Sequence, residues 1–320
     1  MDADEASFLT WVSRQEAPAP HPAAADGYAF SGEFYPQIAA AIHERPEVVD
    51  VELIGHSGGG RPIWAFHVQD PSTEPTRSVL VFANLHALEW IGTEVAVAFL
   101  LDAIDHPEPG VRLTVVPVMN PDGRDKVEDD LVLERNLYRR GNGKNVDLNR
   151  DFAVNTEPTA FWSHLVPSYY THSETPLSQP ESVALDALAA REHYDRAVSL
   201  HAFGGFMFYP WSGRWERPAD DDAFRALGHA MQLAQNGRAY DVRQLARWGF
   251  FFRAQGSEID HLYGTYGTKA FLIELTRSGI TLNPHTWHTY FRWYNPSDPR
   301  PHVDGGVRAL RALETADEPS

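Results

Sequence analysis

Three residues of this chain are of the type and placement that hold a metal ion. His86-Ala87-Leu88-Glu89 follows the apolar run at 78–83 and precedes a helical pattern, while His201 ends the apolar run at 197–200. Imidazole nitrogen and carboxylate oxygen both bind zinc, and a three-residue step across a turn lets both reach one ion. Two His and one Glu at strand ends would leave a fourth position open for water, as a catalytic zinc site requires. HxxE alone is a weak signal, because a chain with 15 His offers about one such spacing by chance. A pair of ordinary hydrogen-bonded histidines is the competing explanation at this point. The chain has no Cys, so thiolate sites, disulfides and cysteine nucleophiles are excluded together, and any metal must be held by His and carboxylate.

Two further groups could do chemistry beside such an ion. In Asn145-Val146-Asp147-Leu148-Asn149-Arg150-Asp151-Phe152, Asn149 and Arg150 offer an amide and a guanidinium fork, suited to gripping a carboxylate. Arg135, Arg139 and Arg140 lie just upstream. In a strongly acidic chain this cluster points to an anionic substrate group, with a surface salt-bridge cluster as the alternative. Glu274 interrupts the apolar run Ala270-Phe271-Leu272-Ile273-Glu274-Leu275. A carboxylate there is costly unless it is partnered or functional, and at a strand end it could serve as general base on a metal-bound water. A structural ion pair is its alternative. His285 and His288 form a rival, weaker metal pair in a Pro- and aromatic-rich loop, and Asp220-Asp221-Asp222 reads as the solvated start of a helix.

The elements that must position these residues alternate. Phe34, Ile38 and Ile42 mark one face of a helix ending near Pro46. Strands are predicted at 50–54 and 61–68, joined by Gly55-His56-Ser57-Gly58-Gly59-Gly60. That glycine cluster lacks the Lys-Ser/Thr of a phosphate loop and is followed by a strand, so it reads as a hairpin turn. Further strands are predicted at 78–83, 112–118, 196–200, 206–209 and 269–275. Helices are predicted at 91–104, from a Ser178/Glu181 capping box through about 192, and around Phe224, Leu227, Met231 and Ala234. Asn120-Pro121-Asp122-Gly123 reads as a turn, and residues 17–25 as a flexible or extended lead-in. The alternation predicts an α/β fold: a single domain with a central mixed, mostly parallel sheet flanked by helices.

Composition bounds the partners. Of 320 residues, 43% are hydrophobic and 22% charged, with 9 Trp, 12 Tyr and 17 Phe to fill a core, which excludes disorder for most of the chain. The formal net charge of −17 excludes a nucleic-acid partner, whose binding needs a basic surface. No apolar run approaches the roughly 18 residues of a membrane span. The acidic N-terminus, Met1-Asp2-Ala3-Asp4-Glu5, lacks the basic and apolar blocks of a signal peptide, so a cytoplasmic location is expected.

Taken in order, HxxE after a strand, NPDG, an Arg-rich stretch, DLNR, a strand-terminal His and a late Glu in an apolar strand resemble the zinc carboxypeptidases, the carboxypeptidase A-like metallopeptidases. The hairpin Ile54-Gly55-His56-Ser57…Gly60-Arg61-Pro62-Ile63 belongs to the same likeness, which covers residues 28–313. It implies a catalytic domain there, an N-terminal extension over 1–27 and a C-terminal tail over 314–320. It implies one Zn2+ per chain on His86, Glu89 and His201, with Glu274 as general base. Arg139 matches the arginine that polarises the scissile carbonyl, and Asn149 and Arg150 match the pair that holds the substrate's terminal carboxylate. The implied activity is zinc-dependent removal of C-terminal residues from peptides. No inhibitory pro-segment of the family's kind is expected ahead of this domain, so small peptides or a modified amino acid are the expected substrates.

Three positions depart from the family pattern. Phe252 stands where a tyrosine closes over the substrate, and Phe cannot donate a hydrogen bond to a carboxylate. His261 replaces the usual Trp. Ile259 lies where side-chain preference is set and implies an apolar pocket, whereas the nearby Arg253 would favour an acidic residue; the two readings conflict. An amide hydrolase on the same scaffold, acting on a peptidoglycan-type, γ-linked or N-acyl amino-acid substrate, is therefore the second expectation.

Overall fold

Strand formation follows the apolar runs. In the computed structural model, which describes residues 3–157, 175–236, 239–249, 252–277 and 289–318, eight strands form one sheet in the order β1-β2-β4-β3-β5-β8-β6-β7. They are β1 (Val49–His56), β2 (Pro62–Gln69), β3 (Arg77–Ala83), β4 (Val111–Val116), β5 (Arg196–Ala202), β6 (Phe206–Tyr209), β7 (Asp241–Gln244) and β8 (Lys269–Leu275). The central run β4-β3-β5-β8 is parallel. Its strands are almost wholly buried, as continuous apolar sequences require when helices cover both faces. The hairpin β1-β2 is antiparallel and joins β4 antiparallel at one edge, while β6 returns antiparallel on β8 and pairs β7 in parallel.

Helices cover both faces. On one lie α1 (Ala3–Val12), α2 (Ser31–Glu44), α3 (Trp90–Asp105), α6 (Asp221–Ala234) and α9 (Arg300–Thr315), enclosing the larger apolar core. On the other lie α5 (Pro180–Glu192) and α7 (Glu258–Tyr266) over a second core. Two further helices, α4 (Pro121–Val132) and α8 (Tyr290–Tyr294), border the C-terminal ends of the parallel strands. Among the described residues no helix is long and apolar enough to cross a membrane.

Within residues 1–27, α1 buries Phe8 against Trp64 and Phe66 with ring centroids 5.3 and 5.2 Å away, so this segment packs on the domain's core. Two expectations change. Asn120-Pro121-Asp122-Gly123 does not stop at a turn but opens α4. Asn120 caps the helix by accepting from the Gly123 amide, and Pro121 takes the first turn, where its missing N–H costs nothing. Ser178 does not cap α5: its hydroxyl donates to Asp151, and Gln179 is the cap residue. The His285/His288 pair lies outside the described residues.

Candidate metal centre

The loop after β3 turns at Asn84, whose side-chain amide donates to the His86 carbonyl at 3.0 Å. This turn and the start of α3 bring His86 and Glu89 together at the C-terminal end of the sheet, and β5 delivers His201 beside them. His86 Nδ1 lies 2.9 Å from Glu89 Oε1, His201 Nδ1 lies 2.9 Å from Glu89 Oε2, and the two Nδ1 atoms are 3.0 Å apart. All three side chains are buried. Close approach of α3 to β5 depends on Gly92, where a Cβ would sit 2.8 Å from the Leu200 carbonyl oxygen.

Each imidazole is backed on its far side by a buried carboxylate. His86 Nε2 meets Asp147 Oδ1 at 2.9 Å, and His201 Nε2 meets Glu258 Oε1 at 3.0 Å and the Ser199 hydroxyl at 2.9 Å. With both Nε2 atoms facing these outer partners, the two Nδ1 atoms and the Glu89 carboxylate converge on one point. Such a donor set suits a cation. The spacings of 2.9–3.0 Å are near the roughly 3.3 Å between ligands held about 2.0 Å from a tetrahedral centre. These residues fit a zinc ion, and no other group of three metal-ligating side chains clusters this way among the described residues.

The electrostatics agree. Burial would push the Glu89 carboxyl up, but His86 and His201 outweigh it and hold that carboxyl far below the usual range. Burial would push Asp147 up as well, yet Arg140 and His86 keep it ionised. Glu274 goes the other way: burial first, then the charge of Glu89, raises its carboxyl well above the ordinary value. Glu274 is paired in register with His201 across β5 and β8, so the two side chains leave the same face of the sheet. Its Oε2 is buried with no hydrogen-bond partner among the described residues.

Of the two neighbouring arginines, Arg140 and not Arg139 meets the cluster. Arg140 Nε donates to Asp147 Oδ2 at 2.9 Å and its Nη1 lies 3.5 Å from Glu89 Oε1. Arg139 turns away and donates to both oxygens of Asp130, at 2.7 and 3.3 Å. The loop is pinned at Arg140, whose carbonyl accepts from the Ala87 amide at 3.1 Å. Asn120 reinforces the arrangement by donating to the carbonyls of both Leu85 and Gly141. Extended spacing alone could not tell which of two adjacent arginines faces inward; that choice is made by these loop contacts.

Asn149 is buried, and its Oδ1 has no partner among the described residues. Arg150 follows it and reaches back to the Asn149 carbonyl. Phe252 is 37% exposed, its ring at right angles to Trp248 with 5.5 Å between centroids. Trp248 in turn meets Phe206 and Phe208 of β6, and Phe206 is the register partner of Glu274. An aromatic shelf therefore runs outward from Glu274. Arg253 is engaged elsewhere: it donates to the Ala246 carbonyl at 2.8 Å and lies over the Trp215 ring. Ile259 is fully buried in the second core. His261 fills its position by packing on Phe152 and bonding Asp186 at 2.7 Å.

Sequence reasoning missed Asp147, Ser199 and Glu258. Asp147 sat in view within the DLNR motif, where an acidic residue between Val146 and Leu148 was the available signal. Glu258 and Ser199 carried none, because only the fold brings α7 against the end of β5.

Comparison with known proteins follows the same lines. The zinc carboxypeptidase family model matches residues 36–292. Carboxypeptidase O of Bos taurus is 24% identical over 256 residues, covering 74% of this chain and 64% of that protein. An uncharacterised protein of Bacillus subtilis, YqgT, is 28% identical over 211 residues, covering 55% and 56% respectively. The chain thus spans less than two thirds of the length of these relatives. Bovine thrombin-activatable fibrinolysis inhibitor, solved with tick carboxypeptidase inhibitor, has the same fold at a TM-score of 0.71 and 20% identity, covering 90% of this chain and 96% of that one. Carboxypeptidase A of Helicoverpa armigera does so at 0.72 and 20%, covering 98% and 80%. With the family model matched over most of its length, this chain belongs to the zinc carboxypeptidase family.

Proposed function

We propose that the protein is a zinc-dependent carboxypeptidase that hydrolyses the C-terminal amide bond of peptides. The observation that carries this reading is the convergence of His86, Glu89 and His201 with Glu274 on the next strand in register with His201. His86, Glu89 and His201 would hold the ion, which when bound supplies a Lewis acid for the scissile carbonyl and a water of lowered pKa. Glu274 takes a proton from the attacking water and delivers it to the leaving amine, roles suited to a carboxyl whose surroundings raise its proton affinity. Arg140, rather than Arg139, faces the developing negative charge on the carbonyl oxygen, since its guanidinium already borders Glu89. Asn149 and Arg150 receive the terminal carboxylate through donors, the Asn149 side-chain amide and the Arg150 guanidinium, an assignment supported by their adjacency in the short turn at 148–150. Phe252 and Trp248 offer an apolar cover. Arg253, held by Ala246 and Trp215, lends no support to an acidic-residue preference, so an apolar C-terminal residue is the favoured substrate.

A second reading rests on Phe252, whose ring lacks the hydroxyl that would grip a free carboxylate: an amide hydrolase for γ-linked or N-acyl amino-acid substrates. Mass spectrometry of the zinc-loaded protein with matched peptides separates them. Single-residue loss from free but not amidated α-linked termini, abolished by a chelator, supports the carboxypeptidase. Cleavage confined to γ-linked or N-acyl substrates supports the alternative, and inertness toward all of them contradicts both.

A further inference from the structure

A buried carboxylate with one oxygen committed and one idle calls for an explanation. Glu258 is fully buried at the first residue of α7, its Oε1 lies 3.0 Å from His201 Nε2, and its Oε2 has no partner among the described residues. Burying a carboxyl group is costly unless it is partnered. Two features favour it here. The start of α7 presents the positive end of the helix dipole, and the Nε2 proton of His201 gives Oε1 a charge-assisted partner. Its placement is rigid. Gly256, at φ +63°, turns the chain just ahead of α7, and a Cβ there would come within 3.0 Å of the Arg150 carbonyl oxygen. Phe152 N donates to the Gly256 carbonyl at 3.1 Å, tying this turn to the Asn149–Arg150 segment.

We propose that Glu258 is a positioning residue for the metal centre: its carboxylate holds the Nε2 proton of His201 and so leaves Nδ1 bare and aimed at the ion. The proposal rests on the reading of His86, Glu89 and His201 as a zinc site. His86 is served in the same way by Asp147, so both imidazoles are fixed in the same tautomer by a buried acid on the far side. The Ser199 hydroxyl shares His201 Nε2 at 2.9 Å but is neutral, and the weaker acceptor. Glu258 therefore does what an outer partner of a metal-bound histidine does: it sets ring orientation and raises the basicity of the ligating nitrogen.

The test measures zinc affinity by competition with a chromophoric chelator for the full chain, for Glu258→Gln and for Ser199→Ala. It is paired with the visible spectrum of the Co2+-loaded proteins and with thermal unfolding of the metal-free forms. Glu258→Gln should bind zinc about 10–100-fold more weakly, with a shifted Co2+ spectrum and metal-free unfolding no lower than the parent's. Ser199→Ala should stay within about threefold. A Glu258→Gln protein with parental zinc affinity overturns the proposal, as does a Ser199→Ala loss as large as that of Glu258→Gln. Should Glu258→Gln not fold, Glu258→Asp, which keeps the charge but withdraws it from Nε2, is read by the same criteria. A parent chain that binds no zinc overturns the metal-centre reading itself, whereas tight binding by both parent and Glu258→Gln overturns only the role of Glu258.

Discussion

At the scale of single residues, the centre is built from proton placement as much as from position. In the tautomer proposed above, Asp147 and Glu258 take the outer imidazole protons, and the Nδ1 atoms of His86 and His201 are the ones that face Glu89. Arg140 then supplies the only guanidinium shown bordering Glu89 among the described residues. Arg140→Ala should lower kcat/KM by about 100- to 1,000-fold, the usual effect of removing one stabilising donor from a transition state, while Arg139→Ala, which loses only the pairing with Asp130, should cost less than about threefold. Zinc content measured alongside the kinetics guards against loss of metal through Asp147. Equal effects at the two positions would contradict the assignment. The metal triad and Glu274 could be singled out from sequence because His201 and Glu274 lie near the ends of apolar strands and His86 and Glu89 follow another, where their types are conspicuous. The inward arginine could not, since Tyr138-Arg139-Arg140 lies in a loop without periodicity, and its orientation is fixed by the Ala87–Arg140 and Asn120–Gly141 hydrogen bonds.

At the scale of elements, function depends on how closely α3 lies on β5. Gly92 leaves room for the Leu200 carbonyl, one residue before His201, while Glu89 immediately precedes the same helix. Gly92→Ala should destabilise the fold by about 1–3 kcal/mol as overpacking, and Gly92→Val should also weaken zinc binding by moving Glu89 away from His201. Chemical denaturation and chelator competition read the two effects; an unchanged zinc affinity in Gly92→Val would show that the helix position does not set the site. Strands β1 to β6 and β8 and helices α2, α3, α5 and α6 were legible because burial imposes their period, whereas β7 and the amphipathic α9 went unread. The opening of α4 was not, because Asn-Pro-Asp-Gly is equally good turn and helix-start chemistry, and the outcome is decided by what Asn120 and Asp122 bind. Asp122 accepts from the Ser57 hydroxyl, the Gly59 amide and Arg61, so α4 also anchors the glycine-rich hairpin.

At the scale of the whole molecule, buried acids outside the centre give the fold a pH dependence of its own. Burial raises Glu94 to about 7 against the opposing hydrogen bond from the Ala29 amide and the charge of Arg124, and it raises Glu314 to about 7 against Arg311. These carboxyls keep their protons to higher pH when folded than when unfolded, so stability falls as pH rises from about 4.5 to 7 and levels off above. Glu94→Gln, which can still accept from Ala29, should remove part of that slope and unfold a few degrees higher than the parent at pH 8, with no difference at pH 4; a parallel shift at both would contradict the linkage. The acidic surface implied by a net charge of −17 bears on solubility and not on the site. The central claim, that a metal held by His86, Glu89 and His201 works with Glu274 on a C-terminal amide, is tested most directly by release of the C-terminal amino acid from a free-ended peptide. The comparison is between zinc-loaded parent and zinc-loaded Glu274→Gln, with metal content determined in both. The account predicts turnover by the parent and at least a 100-fold loss in Glu274→Gln, roughly the low end of a general base's contribution, at an undiminished one zinc per chain. Comparable rates in the two proteins, or a parent that holds zinc and releases nothing, would contradict it.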